Sequence, residues 1–325
     1  RFTAQQKQRI AEKLRRLPQI AAGLYESDPA GWPLRRLQLE PVNRCNYRCA
    51  LCRTHHSDWV PRRAIAFEEA RRLIDPMADQ LTVLTLYGTR GEPLLHPRLE
   101  DIVAYTKART AAKTRISTNG SLVSEARAHR LLDAGLDLII FAVDGLTQQT
   151  YAAYREGGRL QTVVANLRRI CKLKRAGGYR TRVVFQFIPM AANEHEVPQV
   201  ADFAYDLGVD VVKLKYSTSV AHSDAHRTAE DGLGPGQKDG GAFVCPLGLD
   251  GMYVDPNGYS YPCCYAEGEP NLVVGNALTE SPAAIWDKPE MWALRRSFAE
   301  QEGFNDFCIA SCRNVPRGQK KILKP

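Results

Sequence analysis

LQLEPVNRCNYRCALC, residues 37–52, decides how the rest of the chain is read. It opens with Leu37-Gln38-Leu39-Glu40, an alternation of apolar and polar side chains that predicts a strand. It closes with Cys45, Cys49 and Cys52, at spacings of four and three. A strand that runs into a loop with three thiolates can wrap one iron–sulfur cluster, since thiolates are the ligands such clusters take. Three protein ligands leave one iron of a four-iron cluster open to a small chelating molecule. A structural zinc site is the competing reading; it wants a fourth Cys or His nearby, and His55 and His56 are candidates.

Outward from this stretch the same grammar repeats. Short β-rich runs follow at 81–88, 113–119, 137–143, 181–190 and 210–216. Between them lie segments with apolar residues three or four apart, FEEARRLIDPMA, RLEDIVAYTKAR, VSEARAHRLLDAG, LQTVVANLRRICKLKRAG and EVPQVADFAYDLG, the spacing of helices that bury one face. Six strand–helix units with short connections predict a parallel sheet covered by helices. The expected fold is therefore α/β, a partial (β/α)6 TIM-like barrel over 37–218, with its ligands at the C-terminal ends of the strands.

Ahead of it, residues 1–36 read as a helical extension, with Ile10, Leu14, Leu17 and Ile20 on one face. Residues 219–242, rich in Gly and small polar side chains, read as a linker. The remainder, 243–325, is a cysteine-rich module built from a β-hairpin plus a helix. Its hairpin is GMYVDPNGYSYPCC with an Asn257-Gly258 turn, and SPAAIWDKPEMWALRRSFAE reads as one helix capped by Ser281.

A hydrophobic content of 44% and a charged content of 25% are those of an ordinary globular chain. No apolar run reaches the roughly 20 residues that span a bilayer, so the chain reads as cytoplasmic with no membrane partner. The net charge of +8 raises the question of nucleic acid. The basic pairs are scattered along helical faces without aromatic interleaving, which argues against an RNA partner. The nine cysteines are too unevenly placed for a disulfide framework and favour metal in a reducing compartment. Cys171, on a helical stripe with Val164 and Leu167, reads as core.

The cysteine loop after a first strand, followed in order by four further segments, resembles the radical S-adenosylmethionine (SAM) superfamily. Gly88-Thr-Arg-Gly-Glu-Pro-Leu-Leu-His resembles the GGEPLL motif, which implies that Gly91, Glu92 and Pro93 hold the SAM amino group; Arg90 stands where glycine is usual. Ser117-Thr-Asn-Gly resembles the segment that meets the ribose, implicating Ser117 and Asn119. Val143-Asp-Gly followed by Tyr151 and Arg155 resembles the SxDG…Y…R pattern, which implicates Asp144 and assigns Arg155 to the SAM carboxylate. Ala142 replaces the usual serine there. IPMAANEHEV resembles a segment of the same branch, and Gln186 is a further expected SAM contact.

In the C-terminal module, Cys245, Cys263, Cys308 and Cys312 resemble the four ligands of a SPASM module in its shorter single-cluster form, called twitch. Two [4Fe–4S] clusters are then expected, one binding SAM and one auxiliary; zinc on the same four thiolates is the alternative. Neighbours on a strand face opposite ways, so one of the adjacent Cys263 and Cys264 ligates and the other turns away; the Gly258-x4-Cys263 spacing, which resembles the module's pattern, favours Cys263 as the ligand. Cys264 is then either a packed residue or a thiol facing the substrate as a hydrogen donor.

The resemblance implies an enzyme that takes one electron from a flavodoxin or ferredoxin and cleaves SAM reductively to a 5′-deoxyadenosyl radical. The radical abstracts hydrogen from an unactivated carbon, chemistry that the cofactor supplies. Dehydrogenation, elimination or epimerisation can follow. Members of the family modify aminoglycoside and sugar-like natural products, or epimerise and crosslink peptides. Peptide modifiers commonly carry a leader-binding domain, for which 36 residues ahead of the barrel are short. The expected substrate is therefore a small sugar or aminocyclitol in natural-product biosynthesis. A peptide-modifying enzyme, an RNA-modifying enzyme and a non-catalytic iron–sulfur protein are the alternatives.

Overall fold

The computed structural model describes residues 31–50, 52, 61–215, 248, 250–300 and 308. The helix expected before residue 31, the linker at 219–242, His55, His56, Cys245 and Cys312 lie outside the described residues.

Six strands follow in the expected order: β1 (Arg36–Leu39), β2 (Val83–Thr85), β3 (Lys113–Thr118), β4 (Leu138–Ala142), β5 (Arg182–Phe187) and β6 (Val211–Leu214). Each pairs in parallel with the next. The connecting helices are α1 (Phe67–Ile74), α2 (Leu99–Arg109), α3 (Glu125–Asp133), α4 (Gln148–Tyr154), α5 (Leu160–Ala176) and α6 (Val197–Asp206). One of them, α4, has no counterpart in the sequence reading. Its cap is Thr147, whose side chain accepts from the Thr150 N–H while the Thr150 hydroxyl accepts from the Thr147 N–H. A Thr in place of the usual Glu or Gln at the third position hides that capping box.

The parallel register assigns the two faces of the sheet. Leu37, Leu84, Ile116, Ile139, Phe141, Val183 and Phe185 point outward and are buried beneath the helices. Each such side chain contributes about 1.5–3 kcal/mol by leaving water. Gln38, Thr85 and Arg115 share the opposite face, as do Ser117, Ala142, Gln186 and Lys213. This inner face is mixed, with Ile140 and Val184 beside the polar side chains. Cys171 is buried on α5 among apolar neighbours.

The C-terminal module extends the same sheet. β7 (Gly251–Val254) pairs in parallel with β1, and β8 (Tyr259–Tyr261) and β9 (Gly275–Asn276) follow antiparallel. The order is β6-β5-β4-β3-β2-β1-β7-β8-β9. Lys215, just past β6, nonetheless acts electrostatically on Cys264, just past β8. The sheet curves into an unclosed partial barrel, with the C-terminal module continuing it beyond β1. In the hairpin, Gly258 has φ +84°, and the Asp255 carboxylate accepts from the Asn257 and Tyr259 N–H groups, each at 2.9 Å. A residue with a Cβ is disfavoured at that φ.

The single helix expected after Ser281 is two: α7 (Pro282–Trp286) and α8 (Pro289–Glu300). Pro289 has no N–H to give and would clash within a continuous helix, so the chain restarts with it. Ser281 caps α7 as expected, accepting from the Ala284 N–H at 3.1 Å. The buried Arg295 of α8 donates to the Trp286 carbonyl at 2.7 Å, closing the break. β8 ends at Tyr261, and Cys264 opens a 3₁₀ turn, Cys264–Ala266. The strand alternation used to separate Cys263 from Cys264 thus stops short of both.

Candidate functional site

The C-terminal ends of β1 to β4 converge on the loop that carries Cys45, Cys49 and Cys52. That loop is held from three sides. The Glu92 N–H donates to the Arg44 carbonyl at 2.8 Å, and the Arg48 and Ala50 N–H groups donate to the Glu156 and Tyr154 carbonyls at 3.1 and 3.3 Å. From the end of β3, the Asn119 amide donates to the Asn46 side chain at 2.9 Å and stands 4.0 Å from Cys45 Sγ.

Gly91 lets the β2 loop approach the cysteine loop. A Cβ there would lie 1.5 Å from the Val42 carbonyl oxygen, so no other residue fits without moving backbone. Glu92 is buried and accepts from three donors. Its carboxylate accepts from the Leu94 N–H at 3.1 Å, the Thr118 hydroxyl at 2.7 Å and the Asn119 N–H at 2.7 Å. Burial pushes its pKa up, and those hydrogen bonds oppose the shift. Pro93 begins a 3₁₀ turn, Pro93–Leu95, that Glu92 caps.

At the end of β4, Asp144 is fully buried and caps no helix; one oxygen accepts from the Ile188 N–H at 2.7 Å. The other takes Nε and Nη2 of Arg155, at 2.7 and 2.5 Å. The remaining guanidinium nitrogen, Nη1, lies 3.7 Å from Cys49 Sγ. Burial alone would lower the Arg155 pKa, but the Asp144 carboxylate together with Cys49, Tyr154 and Tyr151 raises it well above the usual guanidinium value. Ser117 and Gln186 line the inner face of the barrel, Gln186 buried and Ser117 half-buried.

The three thiols suit a cationic cluster. Burial pushes Cys45 up to about 11, and the charges of Glu92, Cys49 and Cys52 add to it. Burial also raises Cys49, against the pull of Arg155. Bound iron would relieve both costs, because metal ligation takes thiolates and releases their protons. Among the described residues, no three His, Cys, Asp or Glu side chains converge on one metal ion.

Three participants escape the sequence reading. Glu40, fully buried just past β1, accepts from the Arg90 and Gly91 N–H groups, each at 2.8 Å, and from the Tyr253 hydroxyl at 2.7 Å. Glu267 pairs with Arg90 from the C-terminal module. Asn193 donates to the Asp144 and Ile188 carbonyls, each at 3.0 Å. Glu40 was detectable as a carboxylate inside an apolar strand, since such groups are rarely buried without a partner. The others had no local signal.

Comparison with known proteins agrees with this geometry. Residues 39–204 match the radical SAM superfamily, and residues 245–314 match the iron–sulfur cluster-binding domain known as SPASM. The chain is 29% identical over 185 residues to the tungsten-containing aldehyde ferredoxin oxidoreductase cofactor-modifying protein of Pyrococcus furiosus, covering 55% of this chain and 50% of that one. It is 32% identical over 211 residues to the GTP 3′,8-cyclase of Parasynechococcus marenigrum, covering 58% of each. The chain spans about half the length of the curated relatives it matches.

Among solved structures, Streptococcus suis SuiB bound to precursor peptide SuiA superposes with a TM-score of 0.65 at 14% identity, over 87% of this chain and 70% of that one. BtrN in complex with AdoMet and 2-DOIA superposes with a TM-score of 0.53 at 16% identity, over 82% and 87%. These likenesses are of fold. No described helix is long and apolar enough to cross a membrane. The family brings SAM and a [4Fe–4S] cluster to the central domain, and the SPASM domain brings further iron–sulfur chemistry. With its cysteine loop, its strand-end pocket and a sequence match over half its length, the chain is an enzyme of the radical SAM superfamily with a C-terminal SPASM domain.

Proposed function

We propose that the chain, acting in a reducing cytoplasm, takes hydrogen from a carbon of a small sugar or cyclitol held inside the barrel, and returns hydrogen from Cys264. The bound cofactors supply a carbon-centred radical able to attack an unactivated C–H bond. Cys45, Cys49 and Cys52 hold the SAM-binding cluster. Gly91, Glu92 and Pro93, with Ser117, Asn119, Asp144, Arg155 and Gln186, form the SAM pocket. A carboxylate offers about four acceptor positions; Glu92 has three occupied, which leaves one for an ammonium group. Cys245, Cys263, Cys308 and Cys312 hold one auxiliary cluster of the twitch type. A flavodoxin or ferredoxin delivers the electrons.

The observation that carries this reading is the position of Cys264. Burial pushes its thiol up, opposed by the Lys215 ammonium and the Gln38 amide, and its charge in turn raises Tyr87. Gln38 is an inner-face residue of β1, and its amide donates to the Tyr87 carbonyl at 3.0 Å. The Cys264 thiol packs against the cluster of Tyr253, Tyr261 and Ala266 and stands within electrostatic reach of β1, the β2 loop and the end of β6, which supports a role toward a substrate held between them. There its S–H hydrogen can pass to a substrate carbon radical, leaving a sulfur radical that one electron from the donor and one proton from solvent restore. A peptide substrate is the second reading, favoured by the superposition on SuiB bound to its precursor peptide.

The test is anaerobic turnover in deuterated water with SAM, dithionite and parallel panels of sugars, cyclitols and peptides. Wild type should place one deuterium on the product carbon, and Cys264→Ala should still cleave SAM but lose that deuterium and the epimerised product. Both cluster signals should survive in Cys264→Ala. Retained deuterium in that variant sinks the role of Cys264, and a dehydrogenated product would show that the electron leaves through the auxiliary module.

A further inference from the structure

The loop at the end of β2 is fastened from two directions. From the barrel, Glu40 takes the Arg90 and Gly91 N–H groups. From the C-terminal module, the side chain of Glu267 pairs with the guanidinium of Arg90, and the Thr89 hydroxyl donates to the same carboxylate. Tyr253 of β7 completes the contact through Glu40. The Arg90 and Glu267 side chains are 6% and 1% exposed, so this is an ion pair taken out of water. Glu267 follows directly on the turn that begins at Cys264.

A buried ion pair adds little net stability, because desolvation offsets most of the attraction, but removing one partner strands a charge. Arg90 occupies the position where the family's motif has glycine, so this chain has added a side chain that reaches into the other module. We propose that Arg90 and Glu267 form a clasp through which the C-terminal module positions the SAM-binding loop, so that SAM affinity depends on the state of that module. Arg90 acts here as a positioning residue: its backbone N–H and that of Gly91 fix the loop on Glu40, and its side chain ties the loop to Glu267. The coupling is reciprocal by linkage: an intact Arg90–Glu267 contact strengthens SAM binding, and bound SAM strengthens that contact by the same factor. The inference rests on reading residues 88–92 as part of the SAM pocket.

The experiment is anaerobic calorimetry of SAM binding to fully reconstituted protein, with iron content and the SAM-induced change in the electron paramagnetic resonance spectrum of the reduced first cluster as second readouts. Arg90→Gln and Glu267→Gln should each weaken SAM at least tenfold. The double variant should be no weaker than the worse single, and Arg90→Lys should recover part of the loss. Glu280→Gln, which breaks the surface pair with Lys288 in the same module, should leave affinity within twofold. If the single variants lose iron or fail to fold, Arg90→Met with Glu267→Leu removes both charges together and should fold with weak SAM binding. Wild-type affinity in that double variant, or in a folded Glu267→Gln, overturns the clasp. Wild-type protein that binds no SAM would overturn the pocket assignment itself.

Discussion

The carboxylate of Glu92, at the end of β2, accepts the backbone N–H of Asn119, at the end of β3, at 2.7 Å. Two strand-end motifs that are 27 residues apart in sequence are thus parts of one hydrogen-bonded corner. Glu92 holds this corner together through its own hydrogen bonds.

Replacing Glu92 should therefore lower stability as well as SAM affinity. Glu92→Ala strands the Leu94 and Asn119 N–H groups and the Thr118 hydroxyl, and a buried donor left unsatisfied costs about 1–3 kcal/mol. Glu92→Gln turns an amide N–H₂ toward one of these donors and should cost about 2 kcal/mol. Denaturant unfolding without SAM measures this. Wild-type stability in both variants would confine Glu92 to SAM binding.

Arg155 should be the more sensitive position. Its fork satisfies a fully buried Asp144, so Arg155→Ala should cost about 3–5 kcal/mol by stranding that charge. Arg155→Lys keeps the charge and loses the bidentate geometry, and should fall between alanine and wild type. Asp144→Asn combined with Arg155→Met should recover most of the stability while SAM affinity stays low. Urea titrations of the four proteins, with SAM binding measured in parallel, decide the matter. Full stability in Arg155→Ala would show the pair to be dispensable for folding.

Glu40 predicts a pH dependence. Burial first, and then the charge of Glu267, push its carboxyl from 4.5 up to about 7. The folded state holds the proton more tightly than the unfolded chain. The contribution is therefore complete below pH about 4.5 and is lost as pH rises toward about 7. Every tenfold gain in proton affinity on folding is worth about 1.4 kcal/mol, so the upper bound is on the order of 3 kcal/mol. Glu40→Gln mimics the protonated acid, accepting from Arg90 and Gly91 while offering its N–H₂ to Tyr253. The stability of the variant relative to wild type should rise between about pH 5 and pH 7.5. Asp255, also pushed up to about 7, is present in both proteins and largely cancels. A pH-independent difference would mean that Glu40 stays ionised throughout.

Much of this protein was legible locally. The alternation in each β run and the helical spacing between runs placed six strands and most helices, because period 2 and period 3.6 are properties of a single segment. Local chemistry likewise marked the thiolate loop from the spacing of Cys45, Cys49 and Cys52, and the cap at Ser281. Pro289 carried an equally local signal, since a proline inside a helix breaks it, and it accounts for the two helices where one was expected. The Thr147–Thr150 cap was legible only to a reader who allowed threonine in place of glutamate.

What the tertiary structure alone decided is which distant groups stand face to face. Sequence periodicity assigns Gln38 and Glu40 to one face of the first β run, but it cannot say what lies across from them. The parallel addition of β7 to β1 brings Tyr253 to Glu40 across 213 positions. Curvature of the sheet brings Lys215 to Cys264, and the turn after β8 sets Glu267 against Arg90. A lone carboxylate or arginine carries no mark of its partner, because the energy of a buried charge depends on what surrounds it in space. The residues of each strand-end loop could therefore be read from sequence, and the ties that hold those loops and bind them into one site could not.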